Sequence, residues 1–134
     1  MKLIVCLDDR LGMMFNKRRQ SRDRILIDDI INMVRGEKIV IAPYSESLFK
    51  DKSANTEVIG DPLCEASGDS WCFIEDGTLI KNKDKVDTLV IYRWNRHYPG
   101  DNFFDFPMDG YALSSSEELV GSSHDKITKE VWKK

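Results

Sequence analysis

The sequence predicts an α/β fold, a mostly parallel sheet with a C-terminal antiparallel strand pair, flanked by few helices. Three observations predict it. Leu3 to Leu7 is a continuous apolar run closed by Asp8-Asp9, the pattern of a strand buried on both faces in the middle of a sheet. Ile25, Leu26, Ile30 and Val34, with Ile27 and Ile31, then recur at intervals of three and four residues, the period of an amphipathic helix. A second apolar run, Ile39-Val40-Ile41, follows at once, and strand, helix, strand is the repeating unit of a parallel sheet.

The remaining elements follow from local chemistry. Ser21 is the expected N-cap of the first helix and Gly36 its stop, giving about four turns. Pro43 favours a new helix start, with the helix running from Ser45 to Phe49. Lys50 to Ser70 is polar, punctuated by Gly60, Pro62 and Gly68, and holds one short strand at Glu57-Val58-Ile59. Trp71 to Ile74 and Leu89 to Trp94 read as strands, joined by a lysine-rich connection that is either a short helix or a hairpin link. Tyr111 to Ser115 and Ile127 to Lys133, separated by Gly121-Ser122-Ser123, form the terminal antiparallel pair.

At 134 residues the chain is expected to form one domain spanning 1–134, large enough to fold without disulfides or metal. An apolar fraction of 41% beside 32% charged residues is that of an ordinary globule. A formal charge of -3 argues against a general nucleic-acid binder. Cys6, Cys64 and Cys72 are irregularly spaced with no CxxC pair, so they read as reduced thiols rather than a zinc or redox site. The opening apolar run is too short for a signal peptide and no stretch approaches membrane-spanning length, so a cytoplasmic protein is expected.

The final third, LVIYRWNRHYPGDNFFDFPMDGYALSSSEE and ITKEVWKK, resembles the end of dihydrofolate reductases, with Gly100-Asp101-Asn102-Phe103-Phe104 carrying the match. The opening is similar too: a first strand, Leu11-Gly12-Met13, a helix and a second strand occur in that family's order. The resemblance implies that Asp23, early in the helix, stands where the family places the carboxylate that holds a pterin ring. IVIAPYSESLF likewise resembles the family's strand followed by a Gly-Arg-x-Thr turn and helix.

Departures from the family pattern imply a shortened relative lacking most of the cofactor-binding half. Where adjacent glycines would admit the cofactor phosphates to a helix N-terminus, the sequence reads Phe73-Ile74-Glu75-Asp76-Gly77. Two carboxylates there would repel a pyrophosphate by roughly 1 kcal/mol per charge pair at about 4 Å even in water. Pro43-Tyr44-Ser45 replaces the expected Arg-x-Thr, and Asn55-Thr56 stands near the position of the arginine that grips the folate tail. NADPH-dependent reduction is therefore not expected, and no cofactor or metal is assigned.

The expected ligand-binding residues are Asp23, Phe15, Ile27, Tyr92 and Arg19, serving a small anionic or heteroaromatic ligand. Asp23 in that role competes with a plain helix-dipole role, and Tyr92 with simple pocket filling. Arg10, Lys17, Arg18, Arg19, Arg22 and Arg24 surround the expected pocket mouth, and a solvated charged face is the competing reading. Arg93, Trp94, Arg96, His97 and Tyr98 form a second basic and aromatic stretch; on an extended strand, Tyr92, Trp94, Arg96 and Tyr98 would share one face.

Two alternatives remain open. One is a nucleotide- or RNA-processing enzyme, ribonuclease-like, drawing on Arg18, Arg19, Arg22 and His97. The other is a subunit-interaction module in which a second copy or another partner covers the missing half. The opening also resembles small proteins labelled ribonuclease Z, but that enzyme's HxHxDH zinc signature is missing, since His97 and His124 are the only histidines.

Overall fold

The computed structural model describes residues 1–50, 52–66, 68–77 and 79–134. The main sheet has seven strands: β1 (Lys2–Leu7), β4 (Ile39–Ile41), β5 (Thr56–Val58), β6 (Trp71–Phe73), β7 (Thr88–Arg93), β9 (Ala112–Leu119) and β10 (Ile127–Lys133), in the order β5-β4-β6-β1-β7-β10-β9. β1 lies in the middle, parallel to β6 on one side and β7 on the other. β10 runs antiparallel to β7, and β9 antiparallel to β10. A smaller three-stranded sheet joins β2 (Gly12–Phe15), β3 (Arg18–Arg19) and β8 (Asn102–Phe103) in the order β3-β2-β8. This small sheet has no counterpart in the sequence reading, because strands of two to four residues are too short to display alternation.

Alternation along the buried strands divides the core between the two faces of the main sheet. Leu3, Val5, Leu7, Val40, Cys72, Leu89 and Ile91 point one way, toward Phe106 and Tyr111. Ile4, Ile39, Ile41, Phe73, Val90 and Tyr92 point the other way, toward the first helix, α1 (Arg24–Val34). That helix lays Leu26, Ile27, Ile30 and Val34 on the sheet, as its period requires. Burying four such side chains stabilises the fold by roughly 1.5–3 kcal/mol each before entropy is charged against it.

The helix is shorter than its sequence suggested. Its N-cap is Asp23 rather than Ser21, and the carboxylate accepts from the backbone N–H of Ile25 and Leu26. It ends in left-handed backbone at Arg35 (φ 52°) and Gly36 (φ 81°). Pro43–Ser45 forms a 3-10 turn that runs into α2 (Glu46–Phe49), and Asp61 caps α3 (Pro62–Glu65). The lysine-rich connection is a 3-10 segment, Ile80–Lys85, between β6 and β7.

Two further expectations need correction. β7 stops at Arg93 and Asn95 adopts φ 58°, so Arg96, His97 and Tyr98 belong to a loop and share no strand face with Tyr92. No helix opens at Glu75-Asp76: these residues follow β6 directly, and the next helical residues begin at Ile80. All three cysteines are free. Among the described residues no helix is long and apolar enough to cross a membrane.

Candidate functional site

In open α/β sheets the chemistry gathers beyond the carboxyl ends of the parallel strands, where the chain must turn and expose backbone donors. Here those ends are organised by two buried aspartates. Asp8, directly after β1, accepts from the N–H groups of Arg10 (2.9 Å), Gly12 (2.7 Å) and Tyr98 (3.1 Å) and from Gln20 Nε2 (3.1 Å). Burial works to raise its pKa, but these hydrogen bonds outweigh it and hold the carboxyl below its ordinary value.

Asp23 carries a larger set. Oδ1 accepts from Ile25 N (2.9 Å), Leu26 N (3.4 Å), Ser122 N (3.0 Å) and Ser122 Oγ (3.3 Å). Oδ2 accepts from Ser123 N (2.9 Å), Ser123 Oγ (3.4 Å) and His124 Nδ1 (2.9 Å). Burial again pushes the pKa up, and the hydrogen bonds from Ser123, His124, Ser122 and Leu26 reverse that push and hold it far below the carboxylate range. Gly121 makes this fit possible, since a Cβ there would stand 2.4 Å from Asp23 Oδ2.

His124 extends the network. It is buried, and its ring stacks on Trp94 with centroids 4.6 Å apart and planes at 27°. An anionic Oδ2 requires a donor, so Nδ1 carries a proton, and in the neutral ring Nε2 then presents its lone pair. Ser21 Oγ lies 2.9 Å from Nε2 and Tyr98 OH 3.0 Å from it, with 3.4 Å between the two hydroxyls. Carboxylate, imidazole and hydroxyl thus form one hydrogen-bonded line from the base of α1 outward.

Ser21 opens on a narrow cavity whose walls include Cys6, Met13, Leu26, Ile27, Phe73 and Trp94 and whose rim carries Arg19, Gln20, Arg22 and Glu75. Its free volume is about 20 Å³, room for about one water. Arg22, Asp23, Ile27 and Leu48 also border a wider neighbouring cleft of about 370 Å³, together with Arg24, Lys50, Lys52, Ser47, Ser122 and Ser123. Lys52 pairs with Asp28 at 2.6 Å; among the described residues Arg22, Arg24 and Lys50 enter no ion pair.

The five residues expected to bind a ligand are only partly brought together. Asp23, Ile27 and Arg19 line the narrow cavity. Phe15 is half exposed on β2 and borders a separate groove with Arg18 and Pro99, which Arg19 also lines. Tyr92 lies fully buried beneath α1, donating to Asp29 Oδ2 at 2.6 Å, while Lys129 Nζ sits 2.9 Å from that same oxygen. Burial first, then the Asp29 carboxylate, push the Tyr92 phenol upward. Arg19 grips Glu75 through two hydrogen bonds of 2.7 and 3.0 Å and stacks on Tyr44, and Ser45 Oγ donates to the same carboxylate at 2.7 Å.

Between α3 and the strand ends lies another groove of about 370 Å³, bordered by Asp61, Glu75, Asp76, Gly77, Lys81 and Asn82. Burial, then the neighbouring Glu75, raise the Asp76 carboxyl above its ordinary value. Among the described residues no group of three His, Cys, Asp or Glu side chains is placed to hold a metal ion.

Sequence reasoning reached Ser21 only as a helix cap, Ser122-Ser123 only as a turn, and His124 only as one of two histidines too few for a zinc signature; the other, His97, borders a different cleft. A Gly-Ser-Ser-His run in a hairpin loop was the available signal: a residue without a side chain followed by three hydrogen-bonding groups is suited to clasping a carboxylate.

No family model matches the chain, and no curated protein matches it. Among solved structures it is similar to dihydrofolate reductase from Enterococcus faecalis, complexed with NADP(H) and RAB-propyl, with a TM-score of 0.64, 10% identity, and coverage of 98% of this chain and 94% of that one. The chain therefore has a dihydrofolate reductase-like fold.

Proposed function

We propose that this chain binds a small anionic ligand at the N-terminal end of α1 and does not carry out NADPH-dependent reduction. The observation that carries the reading is the imbalance of charge around the 370 Å³ cleft. Arg22, Arg24 and Lys50 border it without ion-pair partners among the described residues, while Asp23, the one carboxylate among its described lining residues, is consumed by seven hydrogen bonds to the protein. Clefts lined by one sign of charge raise the local concentration of the opposite ion.

The groove that a dinucleotide would need supports the second half of the proposal. Its border holds Asp61, Glu75 and Asp76 against Lys81 alone. Arg19 and Ser45, which reach Glu75 at its border, are spent on that carboxylate. These residues do not fit a pyrophosphate. The reading as an RNA- or nucleotide-processing enzyme receives less support, since His97 borders no cleft that Arg18, Arg19 or Arg22 borders.

Calorimetric titration with inorganic pyrophosphate, a nucleoside monophosphate, folate and NADPH tests the reading. Small anions are expected to bind more tightly than NADPH, with affinity falling as salt rises, and the double replacement of Arg22 and Arg24 by Glu is expected to abolish binding. NADPH bound with submicromolar affinity, or anion binding indifferent to that replacement, refutes it.

A further inference from the structure

We infer that Ser21, His124 and Asp23 form a nucleophilic relay that cleaves small acyl esters. The geometry is that of a base-activated hydroxyl. Asp23 Oδ2 holds Nδ1–H at 2.9 Å, which fixes the tautomer, and Nε2 then faces Ser21 Oγ at 2.9 Å. The stacked Trp94 ring prevents the imidazole from swinging away. Asp23 is a positioning residue: it stays ionised and stabilises the imidazolium that forms when His124 takes a proton.

A buried aspartate–histidine pair often does no more than tie two segments together. Here the second nitrogen is not spent on backbone. It meets a half-buried hydroxyl on the wall of a cavity, and a second hydroxyl, Tyr98 OH, stands 3.0 Å from the same nitrogen and 3.4 Å from the Ser21 oxygen. A phenol beside the nucleophile is a donor that can turn to the oxyanion of a tetrahedral adduct once His124 has taken the serine proton.

The step balances within these groups. Ser21 Oγ bonds to the acyl carbon as its proton passes to Nε2, and the oxyanion receives a hydrogen bond from Tyr98. The adduct collapses, the acyl–oxygen bond to the alcohol breaks, and the alkoxide departs with the proton from His124. Water then attacks the Ser21 ester, giving one proton to Nε2, and the acid leaves as that proton returns to Ser21 Oγ. Net consumption is one ester and one water.

Substrate class follows from the walls. The cavity's apolar lining and its free volume of about 20 Å³, enough for a hydrogen or a methyl group, suit the shortest acyl groups, formyl and acetyl, with the carbonyl outside it beside Ser21. Arg22 at the rim favours an alcohol portion that bears a negative charge. Only this last preference rests on the anion-cleft reading.

An uncharged alkyl fluorophosphonate tests the relay independently of that cleft. One adduct per chain on Ser21, located by peptide mass spectrometry, is expected, with loss of the adduct in Ser21→Ala. p-Nitrophenyl acetate hydrolysis is expected to fall at least about 100-fold in the same variant and about 10-fold in Tyr98→Phe. Wild type that takes no label, or a Ser21→Ala variant that hydrolyses the ester at the wild-type rate, overturns the proposal. Should Ser21→Ala unfold, Ser21→Cys serves: its new thiol is expected to react with iodoacetamide at least about 10-fold faster than the exposed Cys64, as a base-activated thiolate does. Equal reactivity overturns the relay. Anion affinity lost in the Arg22/Arg24 variant while labelling persists separates the two proposals.

Discussion

Asp8 and Asp23 are the same residue in nearly the same setting, each buried at the carboxyl edge of the sheet, each holding a carboxylate below its ordinary pKa with donated hydrogen bonds. Their partners differ. Asp8 is held by three backbone N–H groups and an amide, none of which titrates near neutral pH. Asp23 holds a histidine as well, and through it reaches two hydroxyls. The first arrangement shapes a turn, whereas the second gives a buried charge a route to a reactive atom. Burying an aspartate is therefore a structural device until one of its donors is itself a base.

The largest effect that probes this contrast is deletion of each carboxylate. Asp23→Ala strands the N–H groups of Ile25, Leu26, Ser122 and Ser123 and the His124 ring, and is expected to cost about 4 kcal/mol, against about 2 kcal/mol for Asp8→Ala. Urea unfolding measures both, and equal losses would erase the distinction between the two sites.

Acid sharpens it next. Both folded-state pKa values lie below the unfolded value of about 3.9, so the stabilisation is complete above that pH and is lost as pH falls toward the folded values. Asp23 is displaced further. Unfolding midpoints compared at pH 5 and pH 3 are expected to show a flatter acid dependence in Asp23→Asn than in Asp8→Asn, with wild type the steepest. A wild type indifferent to pH over this range contradicts the assignment.

Glycine substitutions probe the packing behind each carboxylate. A Cβ at Gly121 meets Asp23 Oδ2 at 2.4 Å and Cγ at 2.9 Å, atoms fixed from both sides. At Gly12 the nearest atom is Gln20 Nε2 at 2.5 Å, the end of a side chain that can yield by giving up its two hydrogen bonds to Asp8 and Pro99, with Asp8 Oδ1 at 2.9 Å. Gly121→Ala is expected to cost about 2–3 kcal/mol and Gly12→Ala about 1 kcal/mol by thermal unfolding. The smallest effect belongs to Ser21→Ala, at about 0.5–1 kcal/mol, because it removes one hydroxyl from a half-buried position. A loss several times larger would make Ser21 a structural post rather than a nucleophile.

Local patterns that carry physical signals were readable in the sequence. The run Leu3 to Leu7 placed β1 at the centre of the sheet, and the three-and-four spacing of Leu26, Ile27, Ile30 and Val34 located α1 and its buried face. The cap was misplaced because Ser21 and Asp23 are both good cap residues two positions apart, and only tertiary contacts decide between them. Those contacts come from Ser122, Ser123 and His124, about a hundred residues away, where no periodicity points back to α1. Glu75 was read as an obstacle to phosphate at a helix end. Its bidentate grip on Arg19 shows a different local chemistry, since the acid consumes the cation that might otherwise have served a ligand.

The order in which the relay is made follows from the hairpin that presents His124. Its loop runs into β10, which seats itself along β7. During synthesis α1 emerges from the ribosome long before β10 exists, and the Asp23 carboxylate waits for water or stray donors in the meantime. The contact between Asp23 and His124 therefore forms only after β10 has emerged and paired with β7, late in the ordering of the sheet.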